Sequence, residues 1–192
     1  MPRPVPLFRL SPAALAVLGA TLLAASSAQA TTQLVTFNVL NASATLPVPL
    51  LSGDALHLNS YVATEFGALS QTVNFTLGAG VATLGGQAVW EVGTAAGPGP
   101  RLTGFNVDIF NASNVLVASD SFSGVLGNFG VSTFAGSITP GSYRMVVTGT
   151  GVRESSLDVT LTFASVVPEP GTYALMFAGL GVIGLIARRR RS

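Results

Sequence analysis

The chain has no cysteine, no lysine, a single histidine and very little charge. Asp, Glu, Lys and Arg make up 9% of its 192 residues, against about 25% in an ordinary soluble protein. Without cysteine there is no disulfide framework, no thiol nucleophile, no thiolate metal site and no lipid-modified N-terminal cysteine. A Ser-His-Asp triad has only His57 as its base, and no G-x-S-x-G string presents a nucleophilic serine. One histidine without cysteine falls short of the three or four ligands of a zinc site. No catalytic residue, metal or cofactor is therefore expected, and His57 reads as an exposed or hydrogen-bonded structural residue.

The formal net charge of +1 hides an asymmetry. All the basic residues are arginine, and most lie at the ends: Arg3, Arg9, Arg188, Arg189, Arg190 and Arg191. Between residues 31 and 166, Arg101, Arg144 and Arg153 face seven carboxylates, which leaves −4. Such a domain lacks the basic footprint of a nucleic-acid partner. Hydrophobic residues are 48% of the chain, but they are dispersed among Thr, Ser, Asn and Gly. That dispersal excludes a polytopic membrane protein.

Residues 1–30 have the order of a secretory signal peptide. Arg3 and Arg9 give a positive start, an apolar run follows from Pro12 to Ala25, and Ala28-Gln29-Ala30 is a small-x-small cleavage site. Cleavage after Ala30 makes Thr31 the first mature residue, with the general secretion machinery and signal peptidase as partners. The alternative is an uncleaved N-terminal anchor. Residues 167–192 form a second address. Val167-Pro168-Glu169-Pro170 precedes an uncharged span over 171–187, and Arg188 to Arg191 follow. As a helix the span is about 26 Å long, enough for a thin hydrocarbon core. The arginine run resists crossing and stays cytoplasmic. Gly179, Gly181 and Gly184 match G-x-G-x-x-G literally. No strand, βαβ unit or downstream acid accompanies them, so they read as close-packing positions of a membrane helix.

This order of Pro-Glu-Pro, short apolar span and arginine tail resembles the PEP-CTERM sorting signal of exported Gram-negative proteins. The resemblance implies processing by an exosortase, a membrane-embedded cysteine transpeptidase, with the tail removed near Pro168-Glu169-Pro170. Those three residues are then recognition elements. Two prolines keep this peptide extended and non-helical, a form a processing enzyme can bind. The implied route is export, transient inner-membrane anchoring with the C-terminus cytoplasmic, then the cell surface or extracellular matrix. Exopolysaccharide is the associated material. Phe105-Asn106-Val107-Asp108-Ile109-Phe110 and Pro140-Gly141-Ser142-Tyr143 loosely resemble the FxDxF subgroup, although its Phe-x-Asp-x-Phe string is absent.

The middle alternates with period two. Val35/Phe37/Val39, Val73/Phe75/Leu77, Phe105/Val107/Ile109 and Val159/Leu161/Phe163 alternate with polar residues, the signature of half-buried strands. Further strands are expected at 88–92, 115–118, 131–138 and 142–147. Turn signals fall at 78–80, Gly85-Gly86, 97–100, 111–114, 124–127 and Pro140-Gly141. Segment 42–56 lacks a clear period and reads as a loop. The pattern predicts an all-β fold, an antiparallel sandwich or jelly-roll-like domain over 31–166, flanked by the signal helix and the C-terminal transmembrane helix. Phe37, Phe75, Trp90, Phe105, Phe134, Val146 and Phe163 are its expected core, with a ligand-stacking surface role the alternative for Trp90.

Carboxylates are the remaining route to chemistry. Asp108 and Asp120 flank the 111–114 turn and face one another if the hairpin register allows, and paired carboxylates hydrolyse glycosides. With Asn106 and Asn111 the same acids offer oxygen ligands to calcium, although no D-x-[DN]-x-[DN]-G loop is present. Asn41, Asn74 and Asn111 head N-x-[ST] triplets. Three functions follow: a structural or adhesive module at the extracellular polysaccharide, a surface carbohydrate-active hydrolase using Asp108, Asp120 or Glu91, and a permanently membrane-anchored periplasmic binding module. The first fits the sequence best.

Overall fold

The computed structural model describes residues 29–93, 101–165 and 174–181. Ala30–Val167 is one compact unit, and the two chain ends belong to another. Within the β unit the strands are β1 (Thr32–Phe37), β2 (Asn41–Thr45), β3 (Ala55–Val62), β4 (Gly67–Leu77), β5 (Thr83–Glu91), β6 (Leu102–Asn111), β7 (Leu116–Ser119), β8 (Ser121–Leu126), β9 (Phe129–Ser137), β10 (Gly141–Gly151) and β11 (Ser155–Ala164). They form a six-stranded sheet, β1-β3-β11-β5-β9-β8, and a five-stranded sheet, β2-β4-β10-β6-β7. The inward apolar residues of both sheets make one core, as the period-two pattern requires. Phe75 of β4 meets Phe163 of β11 at 5.8 Å, and Trp90 of β5 stacks on Phe105 of β6 at 4.3 Å. Both pairs bridge the sheets.

The sandwich is not wholly antiparallel. β1 runs parallel to β3, and β2 runs parallel to β4. Residues 38–40 carry the chain from the edge of one sheet to the edge of the other. The following connection then starts β3, and later β4, in the same direction. This sheet switch is pinned at Leu40. Its N–H donates to Glu65 Oε2 at 2.7 Å, and its carbonyl accepts from Ser70 N–H at 3.0 Å.

Several local expectations are corrected. Segment 42–56 is not a loop throughout: Asn41–Thr45 is β2. Its inward residues are Ala42 and Ala44, too small to give an audible apolar period. Gly85-Gly86 is not a turn but lies within β5. A Cβ at Gly86 would collide with the Thr160 carbonyl of β11, so glycine there permits close strand approach. Gly124 likewise lies inside β8. Val146 is only half-buried, while Tyr143, Met145 and Val147 fill the core. The run Met145-Val146-Val147 is apolar on both faces, and the Tyr143–Phe75 pairing selects the face. Phe105 is half-buried rather than fully internal. A register shift opposite Thr148–Thr150 interrupts the alternation of β6 there, and Gly104 adopts φ 59°. Phe37, Phe75, Trp90, Phe134 and Phe163 are buried.

Residues 174–181 are helical. Among the described residues no helix is long and apolar enough to cross a membrane. This helix is the described part of the 171–187 span, and Gly179 and Gly181 are exposed on it. The signal helix, Ala28, Val167 to Pro170, Gly184 and Arg188 to Arg191 lie outside the described residues.

Candidate functional site

Strand register builds a groove at one end of the five-stranded sheet. Thr45 of β2 pairs with Asn74 of β4, Asn74 with Arg144 of β10, and Arg144 with Phe110 of β6. Asn74 and Arg144 alternate with buried neighbours, which places them on the outer face. The β6–β7 turn closes the end. Asn111 Oδ1 accepts from the N–H groups of Ser113 and Val115, both at 3.0 Å, and Asn114 takes the left-handed conformation at φ 61°, which asparagine tolerates. The resulting groove holds about 290 Å³ and is lined by Thr45, Asn74, Asn111, Asn114, Ser142 and Arg144, with Phe75 and Tyr143 also touching it. Among the described residues its lining contains no carboxylate and no histidine.

Arg144 is the single cation among the described residues that line this groove. Its guanidinium lies over the Phe110 ring, 4.8 Å from the centroid, a favourable cation–π seat. Its Nε is buried and has no hydrogen-bond partner among the described residues. Behind the strands that carry the groove, Phe75 and Tyr143 of the core stack at 5.8 Å, and the Tyr143 hydroxyl donates to the Thr139 carbonyl at 2.7 Å. Amides, hydroxyls and one guanidinium can bind a polar, anionic ligand. They offer no general acid or base.

The carboxylates singled out in the sequence are dispersed and engaged. Asp120 Oδ1 accepts from Val107 N–H at 2.8 Å, and Asp120 N–H donates back to the Val107 carbonyl at 3.0 Å. Asp120 thus caps the backbone of β6 instead of facing Asp108. Asp108 accepts from Asn106 Nδ2 at 2.8 Å. Glu91 is ion-paired with Arg101 Nε at 2.9 Å. Among the described residues no group of three His, Cys, Asp or Glu could hold a metal ion. Asn106 and Asn111 have the local roles already given.

His57 sits on the exposed face of the six-stranded sheet. Its Nε2 lies 3.1 Å from Asp158 Oδ1, both side chains being half-buried. Asn59 Nδ2 donates to the same oxygen at 2.8 Å. At the sheet end, the Tyr61 hydroxyl donates to Glu154, whose carboxylate holds the phenol above its ordinary pKa. Trp90 is 6% exposed and packs on Phe105, so it belongs to the core and not to a ligand surface. Gly130 makes room for its indole.

At the expected cleavage bond, Thr31 is bound into the fold. Its N–H and hydroxyl both donate to Asp54 Oδ1, at 2.7 and 2.8 Å. The groove escaped the sequence reading because its residues are distant in the chain and meet only through register. In the sequence Asn74 stands out only as the head of an N-x-[ST] triplet, Asn111 also as a candidate calcium ligand, and Arg144 only in the charge balance.

The PEP-CTERM protein-sorting motif matches residues 166–191. No curated protein matches the chain. Among solved structures, the chain is similar to the pre-peptidase C-terminal domain of a collagenase from Bacillus anthracis, with 11% identity, coverage of 71% of this chain and 100% of that one, and a TM-score of 0.35.

Proposed function

We propose that the protein is an exported, non-catalytic surface or matrix module whose β domain binds acidic extracellular polysaccharide. The sorting motif at residues 166–191 carries the export half of this reading. Signal peptidase removes residues 1–30. The 171–187 span then holds the precursor in the inner membrane, with Arg188 to Arg191 on the cytoplasmic side and Gly179, Gly181 and Gly184 as packing positions. An exosortase reads Pro168-Glu169-Pro170, removes the tail and releases the domain to the surface or matrix. The FxDxF subgroup, if the chain falls in it, adds no activity.

The groove carries the binding half. Its deciding feature is the half-buried Arg144, which stands among amides and hydroxyls with no carboxylate among the described lining residues. A uronate-type carboxylate pairs with that guanidinium, and a charge-assisted bond of this kind contributes about 1.5–3 kcal/mol. Against catalysis stand the engaged states of Asp108, Asp120 and Glu91, each held by a structural partner.

The test is affinity for a uronate polymer and for a neutral glucan, measured on the exported protein and on Arg144→Gln. The wild type should prefer the acidic polymer. Arg144→Gln should weaken that binding about tenfold, the lower end of this range after solvent screening, and leave the neutral polymer unaffected. Equal binding of both polymers by both proteins overturns the groove assignment. Shortened chains among the products, lost in Asp108→Asn or Asp120→Asn, would establish the hydrolase instead.

A further inference from the structure

Asp54 is the one buried carboxylate among the described residues. Its Oδ1 accepts from the N–H and hydroxyl of Thr31 at 2.7 and 2.8 Å, and its Oδ2 accepts from Leu51 N–H at 2.7 Å. Every one of these donors is neutral. The elements around it are β1, β3, β11 and the connection before β3, as Ala55 N–H donates to the Thr31 carbonyl and Phe163 N–H to the Asp54 carbonyl. β1 and that connection carry no other titratable residue. His57 and Tyr61 of β3 are engaged by Asp158 of β11 and by Glu154. Burial raises the Asp54 pKa, and its hydrogen bonds outweigh that, so the carboxyl stays below its ordinary value. Among the described residues this anion has no counter-charge, an arrangement that folded proteins rarely leave uncompensated.

Removal of the signal peptide supplies the missing charge. Water adds across the Ala30–Thr31 bond, Ala30 departs as a carboxylate, and the Thr31 nitrogen becomes an α-ammonium. That nitrogen is the atom already 2.7 Å from Asp54 Oδ1. The geometry points to Asp54 as a built receptor for the mature N-terminus, so that processing completes a partly buried ion pair and fastens the start of β1 to the turn before β3. This inference rests on cleavage after Ala30.

The chain contains no lysine, so the α-amine is the sole primary amine of the mature protein, and an acylating reagent reports on it alone. The experiment takes the exported protein, fixes its first residue by intact mass, and follows acylation rate against pH. In the wild type the amine should titrate about one unit above the ordinary 7.7–8.0, and at pH 7 it should react about tenfold more slowly than in Asp54→Asn. A chain with one alanine inserted before Thr31 keeps Asp54 but moves the amine by about 3.8 Å. Its amine should titrate normally. A Thr31 start with the same pKa in wild type and either variant overturns the receptor assignment alone. A different first residue overturns the cleavage reading, and the receptor assignment with it.

Discussion

Gln71 ties the two sheets together, and its removal has a calculable signature. It is fully buried on β4. Its Nε2 donates to the Val39 carbonyl at 2.8 Å and to Ser60 Oγ of β3 at 2.7 Å. The Val39 carbonyl can only accept, so the amide nitrogen must face it. One side chain thereby joins the five-stranded sheet to the six-stranded sheet and to the sheet switch at 38–40. Its Oε1 has no partner among the described residues. Gln71→Leu keeps roughly the volume but strands the Ser60 hydroxyl, 1% exposed, at about 1–3 kcal/mol. Losing the partnerless Oε1 offsets part of that, for a net cost of about 1–2 kcal/mol. Ser60→Ala strands one Nε2 hydrogen at a similar cost. In the double variant neither group remains, so it should lose only about 1 kcal/mol, well below the sum of about 2–4. Urea unfolding of the exported protein, followed by Trp90 fluorescence, measures all three. Losses that add to within about 0.5 kcal/mol refute the bridge.

Gly130→Ala places a Cβ 2.5 Å from Trp90 Cε2, and the indole cannot retreat because Phe105 stacks behind it at 4.3 Å. Overpacking should cost about 1–3 kcal/mol, seen as a lower Tm and shifted Trp90 emission, and an unchanged Tm would mean that the indole has room to move. The folded pKa of Asp54 lies below its ordinary value of 3.8. Its stabilising contribution is therefore complete above that value and fades as pH falls through the folded pKa. The Tm gap between wild type and Asp54→Asn should be widest near neutrality and close only as pH falls below 3.8 and through the folded pKa, and a gap that ignores acid would contradict the hydrogen-bonded carboxylate.

Strands with large inward residues are legible in the sequence. Val73, Phe75 and Leu77 on β4, and Val159, Leu161 and Phe163 on β11, are buried as their alternation demands. Legibility failed where the inward side chains were small or polar. Ala42 and Ala44 concealed β2, and Ser60, inward to meet Gln71, interrupted the Leu56/Leu58/Val62 pattern of β3. It also failed where both faces were apolar, as at Val146. The hairpin between Asp108 and Asp120 was anticipated, but their relation was not. A register shift between Ile109 and Phe110 intervenes, and Asp120 turns to the Val107 backbone. The groove was illegible because its parts come from β2, β4, β10 and the β6–β7 turn, and only strand register assembles them. The sorting tail was the opposite case, a contiguous signal readable from a short stretch of residues.

The central claim is export followed by removal of the tail, and intact mass of the protein recovered from cells and from the medium tests it most directly. The account predicts a released species that starts at Thr31 and ends near Pro170. Alanine at Pro168, Glu169 and Pro170 together should leave export intact but hold the protein in the membrane with its tail attached. A wild-type protein found only in the membrane and still ending at Ser192, or a triple-alanine variant released in normal amounts, would contradict it.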